Sequence, residues 1–469
     1  MKRRTLDIGP WTLDIFGRVI FCSLLALIVA VAVPYGTVDP WWLALYECIV
    51  FALGILWIID GLVSGHWLVQ SQKVFIPILL IAAFALLQTI SLSSASTASG
   101  FKIWNAISAD PYETRLSVLE LLALAIAGLL LLRYISTPER LRALIYTLIA
   151  VGIVSALFGI LRQTTQHSEG FFLPLLKPGG GYGQFINRNH FAFLMEMVLG
   201  LILGLIVCGG VARDRVLIYL ALALPVWVAL ILCNSRGGIL SMLAQILFLA
   251  LLFSFARAKR ERAREATLLW RITHAAIFRP LLIAGLIGTV FVGAIWIGGE
   301  ALTSRLESIS TELTAEGSAG NEGVSRKEIW RATWKMFMDH PLTGVGINGY
   351  WAAIPGYHDA SGQSTPQQAH NDYLELLASG GIIGAALVAW FLFLFVRRAK
   401  RSFQAVDPFC RAASMAACAG LFGVAVHSLV DFGLHVTINA LVFTALVVVA
   451  TGSVDSDRID RMTGMNRMN

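Results

Sequence analysis

Charged residues are scarce in this chain. Asp, Glu, Lys and Arg make up 14% of the 469 residues, whereas a soluble domain normally carries about a quarter. Hydrophobic residues make up 57%. The composition therefore excludes an ordinary water-soluble domain and predicts an integral membrane protein. The apolar runs are about 20 residues long, which suits helices that cross a hydrocarbon core of ~30 Å better than the ~10-residue alternating strands of a β-barrel.

Motifs for metal, disulfide and nucleotide chemistry are also missing. The six cysteines lie in or beside apolar runs and form no CxxC pair, which argues against a disulfide framework or a zinc site. The sequence contains no HExxH motif, no P-loop and no GxSxG, so metalloprotease, nucleotide-hydrolysing and serine-hydrolase chemistry have no support. We expect no bound metal and no cofactor.

The apolar runs predict an all-α polytopic membrane protein with about twelve transmembrane helices and one long loop that contains short helices. Residues 1–299 would hold spans one to nine, 300–370 the long loop, and 371–469 spans ten to twelve with a tail. The boundaries are uncertain by several residues. The predicted spans are 17–34, 41–63, 73–93, 115–134, 141–161, 190–210, 215–233, 238–256, 279–299, 373–396, 411–430 and 436–453.

Basic residues predict the orientation. Lys and Arg concentrate on the side that carries the N-terminal MKRR, the linker 257–279 and RRAKR at 397–401. The positive-inside rule makes this side cytoplasmic, with both termini there and the long loop on the outward, non-cytoplasmic side. The net charge of +7 is then explained by cytoplasmic loops, and no nucleic-acid partner is expected. Four acids fall in the outer halves of spans and are either functional groups or helix-to-helix hydrogen bonds: Glu47, Glu120, Glu196 and Glu375.

Two outward stretches place an arginine beside glycines. In GGGYGQFINRNHFAF, residues 179–193, Arg188 and His190 stand where span six begins. A glycine-rich backbone and an arginine at a helix start can hold an anion, although a loop and a helix cap would look the same. In CNSRGGILS, Arg236 occupies a tight turn between two spans. It either snorkels to water or binds a ligand such as phosphate, which its forked guanidinium suits.

A third stretch, VSRKEIWRATWKMFMDHPLTGVGINGY, predicts a helix over about 326–338. Ser325 and Glu328 form a capping box at its start. Arg326 would lie in the first turn, where the helix dipole disfavours a cation unless an anion is bound; a solvated basic patch is the alternative. Trp330, Trp334 and Phe337 form an aromatic face suited to the membrane or to a neighbouring span.

Two histidine-bearing stretches follow. In HNDYLELLASGGIIG, Asn371 is the predicted N-cap of span ten, and His370 is either a proton acceptor at neutral pH or only a capping residue. In HSLVDFGLH, His427 and Asp431 are four residues apart and would share a helix face. That pair is either a proton relay or a buried hydrogen bond.

Together these stretches resemble the O-antigen ligase/polymerase superfamily over roughly residues 180–450. SRGG, SRKEIWRATWKMFMDHPLTGVGINGY and HNDYLELLASGGIIG carry the resemblance, and GQFINRNHFAF and HSLVDFGLHVTINALVF extend it. The resemblance implies a metal-independent glycosyltransferase of the bacterial inner membrane. Its donor would be a glycan on undecaprenyl diphosphate, and its acceptor a second lipid-linked repeat, lipid A–core or a glycosylated protein. Membrane lipid and other polysaccharide assembly proteins are the further partners implied.

The resemblance also implies roles for particular residues. Arg236 and Arg326 would bind the diphosphate, and His370 would lie by the reacting centre, either as a base or only as a positioning group. Further candidates for substrate binding are Arg188, His190, Asn371, His427 and Asp431. Ligase and polymerase are not separated, with a slight preference for polymer assembly. A transporter or flippase of lipid-linked glycans is the alternative, but transporters place charges near the midplane in repeated halves, whereas the polar groups here lie at one face.

Overall fold

The computed structural model describes residues 10–64, 72–91, 106–135, 137–165, 181–261, 326–358 and 366–452, and these residues form helices and turns without a β-strand. We number the helices in chain order. They are α1 Pro10–Ala32, α2 Pro40–Ser64, α3 Ile76–Gln88, α4 Pro111–Tyr134, α5 Pro138–Thr165, α6 Arg188–Val207, α7 Val216–Leu232, α8 Arg236–Glu261, α9 Arg326–Asp339, α10 Tyr350–Ala353, α11 Asp372–Ser402, α12 Pro408–His427 and α13 Thr437–Thr451. Single 3₁₀ turns occur at Gln72–Phe75, Arg213–Arg215, Ile354–Gly356 and Gly433–His435.

The all-α membrane fold expected from the sequence is confirmed. Within the described ranges, eight helices are long and apolar enough to cross a membrane, namely α1, α2, α4 to α7, α11 and α12. Shorter apolar helices occur at Gln72–Gln88, Arg236–Leu252 and Thr437–Thr451. The chain is therefore a multi-pass membrane protein. The ninth predicted span, 279–299, lies outside the described residues, so the number twelve stays a prediction.

Helices α6 and α12 form the centre of the molecule and are buried along most of their length. Small residues allow the two backbones to approach closely: a Cβ atom added at Gly200 would lie 2.9 Å from Gly420 Cα. Helix α8 joins this pair through Gln245, whose Nε2 donates to the carbonyls of Glu196 at 2.9 Å and Ala419 at 3.2 Å. Close packing over small residues and buried polar links is typical of helices in a membrane.

Helix α11 is kinked at Gly381, which has φ +60° and ψ −162°. The residues after α9 dock into this kink, where the N–H of Ile382 donates to Pro341 O at 2.8 Å and that of Ile383 to Leu342 O at 3.2 Å. A side chain at Gly381 would overlap the carbonyl of Leu342. Glycine is thus required both for the positive φ and for the close approach. The docking holds part of the predicted long loop, including α9, against α11.

Candidate functional site

The starts of α6, α8 and α11 meet the turn that connects α12 to α13. Asn371 caps α11, since its Oδ1 accepts from the N–H groups of Tyr373 at 3.1 Å and Leu374 at 3.0 Å. The predicted cap is therefore confirmed. The Asn371 amide also donates to Leu429 O at 2.9 Å, and the Asp372 N–H donates to Ser428 O at 3.0 Å. These bonds tie the chain before α11 to the turn after α12.

His370 stands at the edge of this junction in a rare backbone conformation. Its φ is +50°, the left-handed region that non-glycine residues seldom adopt, and such strain is often held at functional sites. Its side chain is 33% exposed, and its Nδ1 lies 3.4 Å from Asp431 Oδ1. Nδ1 makes no hydrogen bond to the described residues, and its contact with Asp431 is an ion pair only when the imidazole is protonated. The ring packs edge-on against Phe432, with centroids 4.9 Å apart.

Asp431 is the buried carboxylate of the junction. It accepts hydrogen bonds from the side-chain amide of Asn189 and, at 3.0 Å, from the N–H of Phe432. Burial opposes its ionisation, but the neighbouring imidazoles of His370 and His190 outweigh burial and lower the pKa of Asp431 to about 2. Asp431 therefore carries its negative charge throughout the neutral pH range.

His427 makes a different pair from the one the sequence predicted. Helix α12 ends at His427, so Asp431 lies in the following turn and the expected shared helix face is wrong. The buried His427 Nδ1 instead lies 3.0 Å from Glu196 Oε2 on α6, and its ring stacks on Phe193 with centroids 4.1 Å apart. Because helix α12 ends at His427, Asp431 lies by His370 and Glu196 lies by His427.

Phe432 brings the candidate His190 together with His435, which sequence reasoning missed. His190 and His435 also pack edge-on against its ring, with centroid separations of 4.8 Å and 5.8 Å. His435 Nε2 lies 3.6 Å from Glu375 Oε1 and 3.7 Å from Asp372 Oδ1. The sequence shows Asp372 and Glu375 in the first turn of α11. Their partner His435 comes from a distant segment, so the sequence contains no sign of the pairing.

Arg188 and Arg236 are the first residues of α6 and α8. The first turn of α8 is capped by Ser235, whose Oγ accepts from the Gly238 N–H at 3.2 Å. The two helix starts touch, because a Cβ atom added at Gly238 would lie 2.8 Å from Ala192 Cβ. The junction thus presents two arginines on adjacent helix N-termini, where backbone N–H groups and the helix dipole favour an anion.

Arg326 is the first residue of α9, which confirms the helix predicted there; Ser325 of the expected capping box lies outside the described residues. One turn along, Trp330 Nε1 donates to Ala369 O at 3.0 Å. Residues four apart share a helix face, so this bond turns the face that carries Arg326 towards His370. The structure brings the other candidate residues around one junction and connects the helix of Arg326 to it through Trp330 and Ala369. Arg236 and Arg326 are both exposed.

Among the residues that the structure describes, no group of three or more His, Cys, Asp or Glu side chains could hold a metal ion. Asp431 lies by His370, Glu196 lies by His427, and Asp372 and Glu375 both lie by His435.

Apolar helices around a junction of histidines, carboxylates and helix-start arginines define a polytopic membrane protein with a cluster of polar groups at the helix ends. Residues 218–389 match the family model described as O-antigen ligase. The match confirms the resemblance and supports membership of the O-antigen ligase/polymerase superfamily. No curated protein matches the chain.

The matched segment contains Arg236, Arg326 and His370 but not the start of α6 or the α12–α13 turn. The resemblance expected for 180–217 and 390–450 stays a prediction. The match and the apolar helices together support a membrane enzyme of the glycan ligase or polymerase type, with lipid-linked glycan and glycan acceptor as the general substrates.

Proposed function

We propose that this protein is an inner-membrane glycosyltransferase that moves a glycan from undecaprenyl diphosphate to a glycan acceptor at the periplasmic face. The observation that carries the proposal is the position of His370. It lies beside the ionised Asp431 and is connected through Ala369 and Trp330 to the helix that begins with Arg326. The O-antigen ligase match, which covers Arg326 and His370 but not Asp431, supports the same reaction class.

The leaving group requires stabilisation of negative charge. When the bond between the glycan and the diphosphate breaks, the electron pair stays on the diphosphate oxygen. Arg236 and Arg326 each stand in the first turn of a helix, so the guanidinium group and the helix dipole both favour the departing anion. Loss of one such contact typically costs ~2–4 kcal/mol of transition-state stabilisation.

The acceptor requires loss of a proton. With Nδ1 towards Asp431, His370 can present Nε2 to the acceptor hydroxyl. In this mechanism Nε2 takes the hydroxyl proton while the oxygen forms its new bond to the sugar carbon. Asp431 then stabilises the imidazolium. General-base catalysis of this kind contributes about 10²–10⁴-fold, and the ionised Asp431 is maintained at neutral pH by its low pKa.

Single substitutions test the assignment in a gene-deletion strain. His370→Ala, Arg236→Ala and Arg326→Ala should each abolish the glycan product while the protein remains in the membrane. Lys327→Ala is a matched control for Arg326, since it is exposed in the same first turn, and Arg215→Ala, before α7, is a control for Arg236. Normal product from a well-expressed His370→Ala protein would refute the catalytic role.

The glycolipid pattern of the deletion strain distinguishes the two forms of the reaction. Loss of a ligase should leave long polymer on the lipid carrier, whereas loss of a polymerase should leave single repeats. Transfer by purified protein in vesicles without any gradient would exclude the transporter alternative. Flipping of the lipid-linked glycan without bond formation would instead overturn the proposal.

A further inference from the structure

Helix α9 carries an exposed row of apolar side chains. Trp334 and Met338 are four residues apart on α9 and are 50% and 58% exposed, and Leu342, in the turn that follows the helix, is 64% exposed. We name these three residues the apolar row. The opposite face packs inward, since Met336 is buried and Thr333 Oγ1 lies 2.7 Å from the Tyr350 hydroxyl. The orientation of the helix is therefore fixed, and the apolar row points away from the protein.

A row of basic side chains runs beside the apolar row. Lys327, Arg331 and Lys335 are also four residues apart, and all three are exposed. We name them the basic row. Residues at this spacing lie above one another on a helix. An aromatic and aliphatic strip next to a cationic strip is the pattern of helices that lie in a membrane interface.

The apolar row continues onto a helix that crosses the membrane. The carbonyls of Pro341 and Leu342 accept the N–H groups of Ile382 and Ile383 at the kink of α11. Helix α11 is one of the candidate spans, and Ile382 on its surface is 51% exposed. Leu342 thus lies beside an exposed apolar surface at the kink of a candidate span.

We propose that the apolar row and the basic row of α9 bind the surface of the same membrane that α11 crosses. The apolar row inserts at the boundary of headgroups and acyl chains, and the basic row contacts anionic phospholipid headgroups. Charge complementarity favours this occupant over a protein partner, since clustered lysines and arginines next to a span attract anionic lipid. The inference concerns membrane contact and does not depend on the proposed enzymatic reaction.

Site-directed spin labelling of the full-length protein in lipid vesicles tests the proposal. In a chain whose native cysteines are replaced, single cysteines are introduced by Met338→Cys, Leu342→Cys, Ile382→Cys and Glu328→Cys. Each label is probed for collisions with oxygen, which concentrates in lipid, and with a water-soluble nickel complex. Ile382 is the lipid reference, and Glu328, exposed on the other side of the basic row of the same helix, is the water reference.

Labels at Met338 and Leu342 should show an oxygen-to-nickel ratio several-fold above that of Glu328 and close to that of Ile382. Vesicles with phosphatidylglycerol should raise the Met338 ratio above that in pure phosphatidylcholine, and Arg331→Glu with Lys335→Glu should abolish this difference. Equal nickel accessibility at Met338 and Glu328 would overturn the proposal. Protection from both reagents would also overturn it, because it would show that protein covers the row.

Discussion

The junction depends on the absence of a side chain at Gly237, and Gly237→Ala is the sharpest perturbation of it. The added Cβ atom would overlap Cδ2 and Nε2 of His427 and lie 3.0 Å from Val430 Cγ2. Carbon atoms in contact are ordinarily about 3.5–4.0 Å apart. His427 cannot easily retreat, since Glu196 holds its Nδ1 at 3.0 Å and Phe193 stacks on its ring. The first turn of α8 must therefore move by about 1 Å or more.

Two effects with different magnitudes are expected. Overpacking should lower the free energy of unfolding by about 1–3 kcal/mol. Displacement of α8 moves Arg236, which immediately precedes Gly237, and a misplacement of about 1 Å at a reacting centre can reduce the rate ~10²-fold. Glycan transfer should thus fall more than the stability loss explains. Initial transfer rates and thermal unfolding of the purified protein in detergent measure the two effects separately.

The control is Gly356→Ala, because nothing lies within 4 Å of a Cβ atom added there. It should leave both rate and unfolding temperature unchanged. Transfer by Gly237→Ala at the rate of Gly356→Ala would refute the claim that contact between α8 and His427 positions Arg236. A loss of stability alone, with an unchanged rate for the folded protein, would refute it as well.

Three further predictions follow from the contacts described above. Asp431→Asn removes the carboxylate that stabilises the imidazolium. It should slow transfer at least ~10-fold and move the acid limb of the pH–rate profile to lower pH. An unchanged profile would contradict this role. In the native protein, acid loss of the Asp431 charge should appear only as the pH falls towards its pKa of about 2. Gly381→Ala should lower the free energy of unfolding by about 1–3 kcal/mol, measured by thermal melting, whereas Gly384→Ala, whose nearest neighbour would be Leu376 Cδ1 at 3.7 Å, should have little effect. Trp330→Phe removes the bond to Ala369 O and should cost ~1 kcal/mol and reduce transfer, whereas Trp334→Phe should retain transfer; equal rates would argue against the coupling of α9 to His370.

Features that depend on neighbours in sequence were predictable. Runs of apolar residues long enough for a span became helices, and the Asn371 cap followed from an amide side chain placed just before an apolar helix. The start of α9 at Arg326 was equally local. Propensity and capping act within a few residues of the chain, so one sequence is enough to detect them.

The pairing of charges was not predictable, because it is tertiary. His427 and Asp431 are close in sequence, yet the end of α12 between them separates their side chains. Asp431 lies by His370, and His427 by Glu196, through packing of helices that are distant in the chain. The sequence identified these residues as candidates but contained no signal for which acid faces which histidine.

The arginines at the helix starts have a thermodynamic consequence. A cation in the first turn opposes the helix dipole and costs each helix about 0.3–1 kcal/mol, so α6, α8 and α9 begin with turns that are less stable than their caps alone would make them. A bound anion removes that penalty at several helix starts together. By linkage, a ligand that binds only the folded state raises its stability. Amide hydrogen exchange in these first turns should therefore slow when a diphosphate binds and recover on its release. The free energy of folding of the helix starts is then part of the free energy of binding.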